Sequence, residues 1–467
     1  MNKIIAAIDL GSEKTVCIVG EKTPVGVQII GYSETPSQGI LRGEVVNIKT
    51  VLNAVNTTVE RVNEQINTMP DYHPRQVSEV YVGISGQSIR NIEDTIHRHR
   101  SNPNSLITEE EEQQMIDDLY NTNTDKGEKV LHVIPQSYNV DEIIGCTEIV
   151  GMDGSEVDGK FKIYLGKESS IAHTNSVLSR ANLKIKRMIL NPIASAEATL
   201  TDDEKELGVV MVDIGCGTSD VLIYYEKIIR HIAILPFGGN VITNDIRQTC
   251  GVSYKNAELL KRQHGSCLSE LAQENKYIAI KDRNGNIENE VPYRLLASTI
   301  EARVCEIIAS VMHQVEIAGY KDKVRTMVIT GGSSSLNHIQ SLAKELSGLK
   351  VRLALPGNPK IQNTSITEIY KPNKSTAVGL ILLGLNDIKD DYIEEDYTLN
   401  GEENFNENGE GVLFPIEHDS EKSDKVNKIK SRGDKKKDGN GDGKKKKKGL
   451  LSGLGLSNLF NSNNDEA

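Results

Sequence analysis

The sequence predicts an α/β protein of two lobes with duplicated cores, followed by a segment that does not fold. Three observations carry this expectation. An apolar strand ending in an aspartate, a glycine turn and a second apolar strand occur twice, as AIDLGSEKTVCIVG at 7–20 and as VVMVDIGCGTSDVLIYY at 209–225. Two segments with small residues at helical spacing, NPIASAEATL at 191–200 and STAVGLILLG at 375–384, suit two helices that cross at close range, as a hinge between lobes requires. Beyond Asn386 the chain turns acidic and Asn-rich, then Lys-rich, with too little apolar content to bury.

Composition narrows the class. At 467 residues the chain has room for two or more domains. No uninterrupted apolar run approaches the roughly 20 residues of a spanning helix, and Asp9 breaks the N-terminal run too early for a signal peptide, so an intracellular protein is expected. The six cysteines (Cys17, Cys146, Cys216, Cys250, Cys267 and Cys305) form no close pair, against both a disulfide framework and a zinc site. The one dense histidine patch, HRHR at 97–100, reads as a solvated strand or loop edge.

Each element then follows in order. In the first hairpin AAI and VCIV are strand-forming runs, and Gly11-Ser12 is the turn between them, with Asp9 at the turn and Lys14 after it. In 85–166, ITEEEEQQMIDDLY is a helix whose Thr108, followed by glutamates, marks its start, while LHVIPQSYNVD and VGMDGSEVDGKFKIYLG read as strands. The second hairpin repeats the first with Asp213, Gly215, Gly217 and Thr218. Glycine-rich turns leave backbone N–H groups free for phosphate oxygens, and carboxylates beside them can hold a hydrated Mg²⁺. Two such turns face to face would clasp a nucleoside triphosphate. LPFGGNVITNDI adds Gly238-Gly239 ahead of a helix. In SYKNAELLKRQHG, Glu258 and Lys261 stand one helical turn apart, either as two ribose contacts or as an ordinary surface ion pair. VRTMVITGGSSSLNHIQSLAKEL reads as a buried strand, a Gly331-Gly332 turn and a helix opening at the serines.

This order of elements resembles the superfamily of actin, sugar-kinase and heat-shock-chaperone ATPases. Within it TDDEKELGVVMVDIGCGTSD, GGNVITNDI and STAVGLILLG resemble the bacterial cell-division FtsA family, as do the IPQ and VGM-x-G stretches of 85–166. The resemblance runs from residue 1 to about 384. It implies an actin-like fold with duplicated ribonuclease-H-like domains: subdomain IA at 1–84 and 167–200, an inserted subdomain IC at 85–166, IIA at 201–251 and 300–386, and IIB at 252–299. A linker at 387–443 and a membrane-targeting tail at 444–467 follow. The implied ligands are ATP and Mg²⁺, with Asp9 and Asp213 holding the ion through water. Gly11, Ser12 and Lys14 would take the β- and γ-phosphates on one side, and Gly215, Gly217 and Thr218 on the other. Gly331, Gly332 and Ser333 would back the adenosine, with Gly239, Glu258 and Lys261 completing the set. Hydrolytic relatives place a Glu or Gln at the start of the first hinge helix. Here that position is Asn191, a poor base, so no catalytic residue is assigned and ATP binding with at most weak hydrolysis is expected.

The tail has its own physical reading. Lys444, Lys445, Lys446, Lys447 and Lys448 precede Leu450, Leu451, Leu454, Leu456, Leu459 and Phe460. Each lysine near an anionic leaflet contributes about 1 kcal/mol and the leucines add several more, but Gly453 and Gly455 weaken a helix there by roughly 1 kcal/mol each. One tail should therefore bind membrane weakly, and polymerisation would add avidity. The resemblance implies self-association into an actin-like filament, further division proteins as partners, and a place at the septum on the cytoplasmic face of the membrane. It also implies that the C-terminal peptide of the tubulin-like FtsZ docks near Arg303. Nucleic acid is not expected as a partner. A pilus-assembly actin homologue and a small-molecule kinase of the same superfamily are the alternatives.

Overall fold

The computed structural model describes residues 3–388 apart from 69–75, 123, 282–283, 285 and 363; the linker and tail from 389 onward lie outside the described residues. The chain opens with β1 (Ile4–Leu10), β2 (Lys14–Thr23), β3 (Gly26–Pro36), a small ladder of β4 (Ile40–Leu41) and β5 (Glu44–Val45), α1 (Ile48–Asn67) and β6 (Glu79–Ile84). An insertion follows as β7 (Arg90–His99), α2 (Glu109–Tyr120), β8 (Glu128–Val140), β9 (Ile143–Cys146) and β10 (Glu156–Lys167). Then α3 (Glu168–Arg180) and β11 (Lys184–Leu190) return to the first lobe, and α4 (Asn191–Thr199) leaves it. The second lobe holds α5 (Asp202–Leu207), β12 (Val209–Ile214), β13 (Ser219–Tyr225), β14 (Ile228–Leu235), α6 (Gly239–Cys250), α7 (Tyr254–His264), β15 (Tyr277–Lys281), β16 (Ile287–Pro292), α8 (Tyr293–Ile317), β17 (Thr326–Thr330), α9 (Ile339–Ser347) and β18 (Lys350–Leu353). The last helix, α10 (Ser375–Asn386), crosses back to the first lobe.

The duplication seen in the sequence is a duplication of topology. One sheet has the order β3-β2-β1-β6-β11 and the other β14-β13-β12-β17-β18. In each, three successive strands run antiparallel, the next pairs in parallel with the first of them, and the last pairs in parallel with that one. Parallel neighbours need a crossover, and α1, α3, α8 and α9 lie on the connections that make them. α1 is capped by the Asn47 side chain, which accepts from Thr50 N, and buries a stripe of Val51, Val55, Val59, Val62 and Ile66 in the first-lobe core.

The insertion is a four-stranded sheet, β7-β10-β8-β9, with α2 on it. α2 begins where its sequence asks: the Thr108 side chain accepts from Glu111 N, and Glu111 reaches back to Thr108 N. The basic patch departs from expectation at its last residue. His97 and His99 are exposed, but Arg100 is buried, bonding Glu111 Oε1 and Oε2 at 3.0 Å and the carbonyls of Ser105 and Gly154 at 2.9 and 3.0 Å. It closes the base of α2 onto the insertion, a role that a sequence of alternating basic residues does not disclose.

Between the lobes α4 and α10 cross in contact. A Cβ built on Gly379 would lie 1.7 Å from the carbonyl oxygen of Ala194, so only glycine permits this crossing. The small-residue segments at 191–200 and 375–384 thus form the close helix crossing that their spacing predicted.

Candidate functional site

The two aspartates of the repeated motif occupy equivalent places, one residue before the end of β1 and of β12, rather than in the turns themselves. The turns close identically: Gly11 N donates to Lys14 O at 3.0 Å and Gly215 N to Thr218 O at 2.9 Å. They face one another across a cleft, where a Cβ on Gly217 of the second lobe would stand 2.6 Å from Ser12 Oγ of the first. Asp9, Gly11, Ser12, Lys14, Asp213, Gly215, Gly217, Thr218, Gly331 and Gly332 line one pocket of this cleft. Lys14, Gly215 and Gly332 also line an adjoining pocket, with Gly239, Glu258, Lys261 and Ser333. All the nucleotide contacts expected from the sequence therefore fall on two connected pockets.

The phosphate end is crowded with buried acid. Ser195 Oγ donates to Asp213 Oδ2 at 2.7 Å, Thr376 Oγ1 lies 3.4 Å from the same oxygen, and the two hydroxyls are 2.9 Å apart. Burial raises Asp213 above the ordinary carboxylate range, although these two hydroxyls act the other way. Asp9 is pushed up to about 7 by burial and by the Asp213 charge, against the pull of Lys374. Sequence reasoning missed a third acid, Asp220, the cross-strand partner of Asp213. Burial and Asp213 push it up to about 7 as well, while Ser85 Oγ from the first lobe bonds its two oxygens at 3.1 and 3.2 Å. An acid inside the otherwise apolar DVLIYY strand was the signal that could have found it. Carboxylates forced together out of water need a compensating cation, so the set fits a divalent ion. Among the described residues no group of three or more His, Cys, Asp or Glu is placed to ligate a metal ion directly.

The remaining candidates are more entangled than their spacing predicted. Lys261 is buried, with Nζ on Glu258 Oε2 at 2.7 Å, Thr243 Oγ1 at 2.8 Å and Gly239 O at 3.0 Å. Glu258 also takes Arg262 Nε at 2.8 Å and the Thr243 hydroxyl at 2.6 Å. Burial pushes the Glu258 carboxyl up, but Lys261 and these donors outweigh it and hold it below its ordinary range. This is a half-buried network under the adjoining pocket, not a surface pair. Arg262 continues it across the cleft to Glu13 of the first-lobe turn.

The Gly331-Gly332 turn also differs from expectation. Gly331 has φ +89°, and a Cβ there would fall 2.3 Å from Asp213 Oδ1, so glycine is required. The serines after it form a single tight turn at Gly332–Ser335, and α9 opens only at Ile339, past His338 with φ 66°. Asn191 is the first residue of α4 and lines the cleft, with its Oδ1 buried and unpartnered in the protein. Arg303 on α8 is already engaged, its guanidinium bidentate on Asp245 at 2.5 and 3.1 Å and in contact with Glu306, so an acidic peptide would compete with two carboxylates for it.

Two family models match the chain: cell division protein FtsA over residues 210–379, and the SHS2 domain inserted in FtsA over residues 86–165. The FtsA of Pseudomonas aeruginosa is 30% identical over 390 residues, covering 82% of this chain and 89% of that protein. The chain belongs to the FtsA cell-division family. The FtsA of Neisseria meningitidis is 28% identical over 383 residues, with 81% and 89% covered. Among solved structures, one described as the PilM-PilN type IV pilus biogenesis complex superposes with a TM-score of 0.57 at 14% identity, covering 82% of this chain and 98% of that one. That likeness is one of fold, and the fold is the actin-like one expected, with the FtsA-type insertion at the β7–β10 sheet. Among the described residues no helix is long and apolar enough to cross a membrane.

Proposed function

We propose that this FtsA-family chain binds ATP in the interlobe cleft, polymerises on the cytoplasmic face of the membrane at the septum, and tethers FtsZ there through its basic, leucine-bearing tail, recruiting later division proteins. The observation that carries the nucleotide part is the pair of glycine turns facing each other beside three buried carboxylates. Asp9 and Asp213 would hold Mg²⁺ through water, and when bound the ion would offset the charge of the phosphates. With the amides of Gly11 and Gly215 engaged in closing the turns, those of Ser12 and Gly217 at the turn tips would donate to phosphate oxygens. Gly331, Gly332 and Ser333 would back the adenosine, and Glu258 and Lys261 would hold the ribose only by sharing their existing partners. Asn191, at the mouth of α4, would orient a water without taking its proton, so binding should dominate over turnover. Nucleotide that prefers one lobe angle would then favour the polymerising conformation.

Flotation on anionic vesicles with labelled FtsZ and ATP tests the assignment, comparing the full chain with one ending at Gly443. FtsZ is expected to float only with the full chain. If the chain floats and FtsZ does not, the tether reading fails and only membrane binding by an actin-like protein survives.

A further inference from the structure

Lys374 is a buried cation that lines the cleft. It closes the tight turn Pro372–Lys374, immediately before α10, and is 1% exposed. Its ammonium contacts Glu34 of β3, and Lys14 Nζ sits on the other oxygen of the same carboxylate at 2.8 Å. Tyr32 donates a third hydrogen bond to Glu34 at 2.8 Å. Burial raises Glu34, but the two lysines and the tyrosine together bring it down to about 2. Two ammonium groups therefore share one carboxylate, and Asp9 is a further acid whose charge Lys374 feels. Burying a lysine that shares its counter-charge is costly, and the cost falls where a further anion is supplied from elsewhere.

The position says which anion. Lys14 and Lys374 are the only cations among the described residues lining the phosphate end of the cleft, where Asp9, Asp213 and Asp220 would otherwise repel a phosphate. Lys14 and Asn373, the residues beside Lys374 in space and in sequence, line both connected pockets. Lys374 lines the first pocket next to residues shared with the second, where the diphosphate of a nucleotide with its adenosine in the second pocket would pass.

We propose that Lys374 is a second phosphate-binding lysine, held in reserve by Glu34, which it exchanges for the diphosphate of a bound adenine nucleotide. The proposal rests on the nucleotide reading of the cleft. Because the residues after it, Ser375 and Thr376, bond Thr330, Ser195 and Asp213, capture of phosphate by Lys374 acts directly on the start of the hinge helix.

The test is titration of the full-length chain with adenosine, ADP and ATP in Mg²⁺, for wild type, Lys374→Met, Lys374→Arg and Glu34→Gln. Lys374→Met keeps the aliphatic stem and should weaken ADP and ATP by roughly ten- to a hundredfold while leaving adenosine unchanged, with Lys374→Arg restoring most of the loss. Glu34→Gln removes the competing charge, so ADP should bind more tightly than to wild type; this arm decides the matter if Lys374→Met fails to fold. Unchanged ADP affinity in Lys374→Met, an equal loss for adenosine, or unchanged ADP affinity in Glu34→Gln overturns the assignment and leaves a merely structural ion pair. Wild type that binds neither ADP nor ATP overturns the nucleotide reading itself, and the lysine's role with it.

Discussion

Gly379→Ala is the sharpest probe of the hinge, because intrinsic propensity and packing predict opposite signs. Alanine in a helix interior is favoured over glycine by about 1 kcal/mol, so on an open helix face the substitution would stabilise. At Gly379 the added methyl would lie 1.7 Å from the Ala194 carbonyl oxygen and 2.4 Å from its carbon, where ordinary contact begins at 3.4 Å. The helices must part by about 1.7 Å or the backbone of one must distort, and overpacking of this kind costs typically 1–3 kcal/mol, here at the upper end because a main-chain carbonyl cannot rotate aside.

Subtracting the propensity gain leaves a net loss of about 2 kcal/mol, or roughly 4–8 °C in the melting of a lobe-sized unit. Thermal unfolding followed by circular dichroism measures it, with nucleotide absent so that binding does not mask the change. Ala194→Gly in the same background should not rescue, since the clash is with backbone. A melting temperature equal to or above wild type would refute a close crossing of α4 and α10.

Three further outcomes are expected. His132 in β8 is buried, and burial together with the Arg187 charge pushes it down to about 3 from an ordinary 6.5, so between those values the unfolded chain carries one proton more than the folded one. Its contribution to stability is complete above pH 6.5 and declines by about 1.4 kcal/mol per pH unit below it; denaturant melts at pH 7 and pH 5 should differ less in His132→Phe than in wild type. Asp213→Asn should reduce the Mg²⁺-dependent part of ATP affinity by roughly tenfold or more, and equal gains from Mg²⁺ in both proteins would remove Asp213 from the ion site. Arg100→Met leaves the carbonyls of Ser105 and Gly154 without their donor and Glu111 with its Thr108 N bond alone, and should cost about 1–3 kcal/mol, seen as early loss of α2 protection in hydrogen exchange; uniform protection would contradict it.

Legibility followed the range of the interactions involved. The hairpins, the α2 cap and the hinge helices were readable because turn chemistry, capping and small-residue spacing are local in sequence. The repeated topology was readable because each lobe carries its own copy of the strand–Asp–Gly–strand signature. Glu34 and Lys374 were not readable: 340 positions separate them, and neither stands in a motif. Ser85 and Asp220 likewise meet only because two lobes close on each other. Glu258 and Lys261 show the limit of spacing itself, since i,i+3 placed them together but could not reveal that Thr243 and Gly239 complete their bonds.

The insertion belongs by connectivity to the first lobe, entered after β6 and left into α3, yet it is also hydrogen-bonded to the second. Gln136 Nε2 donates to Ile229 O at 3.0 Å, Arg230 Nη1 to Gln136 O at 2.9 Å, and Lys162 Nζ to Arg230 O at 2.7 Å, all on β14 or at its edge. Tyr164 of the insertion shares an apolar cluster with Met211, Leu222 and Ile232 of the second-lobe sheet. Each hydrogen bond is worth only about 1 kcal/mol net, but an opening of the lobes that left the insertion on the first lobe would break all three and expose part of that cluster at once. The insertion must therefore either resist opening or travel with β14. A spin-label distance between exposed Ile143, at the far hairpin, and a site on α1 distinguishes the two: a nucleotide-dependent change means that the insertion moves with the second lobe, and a fixed distance together with faster cleft opening in Arg230→Ala means that it acts as a brake.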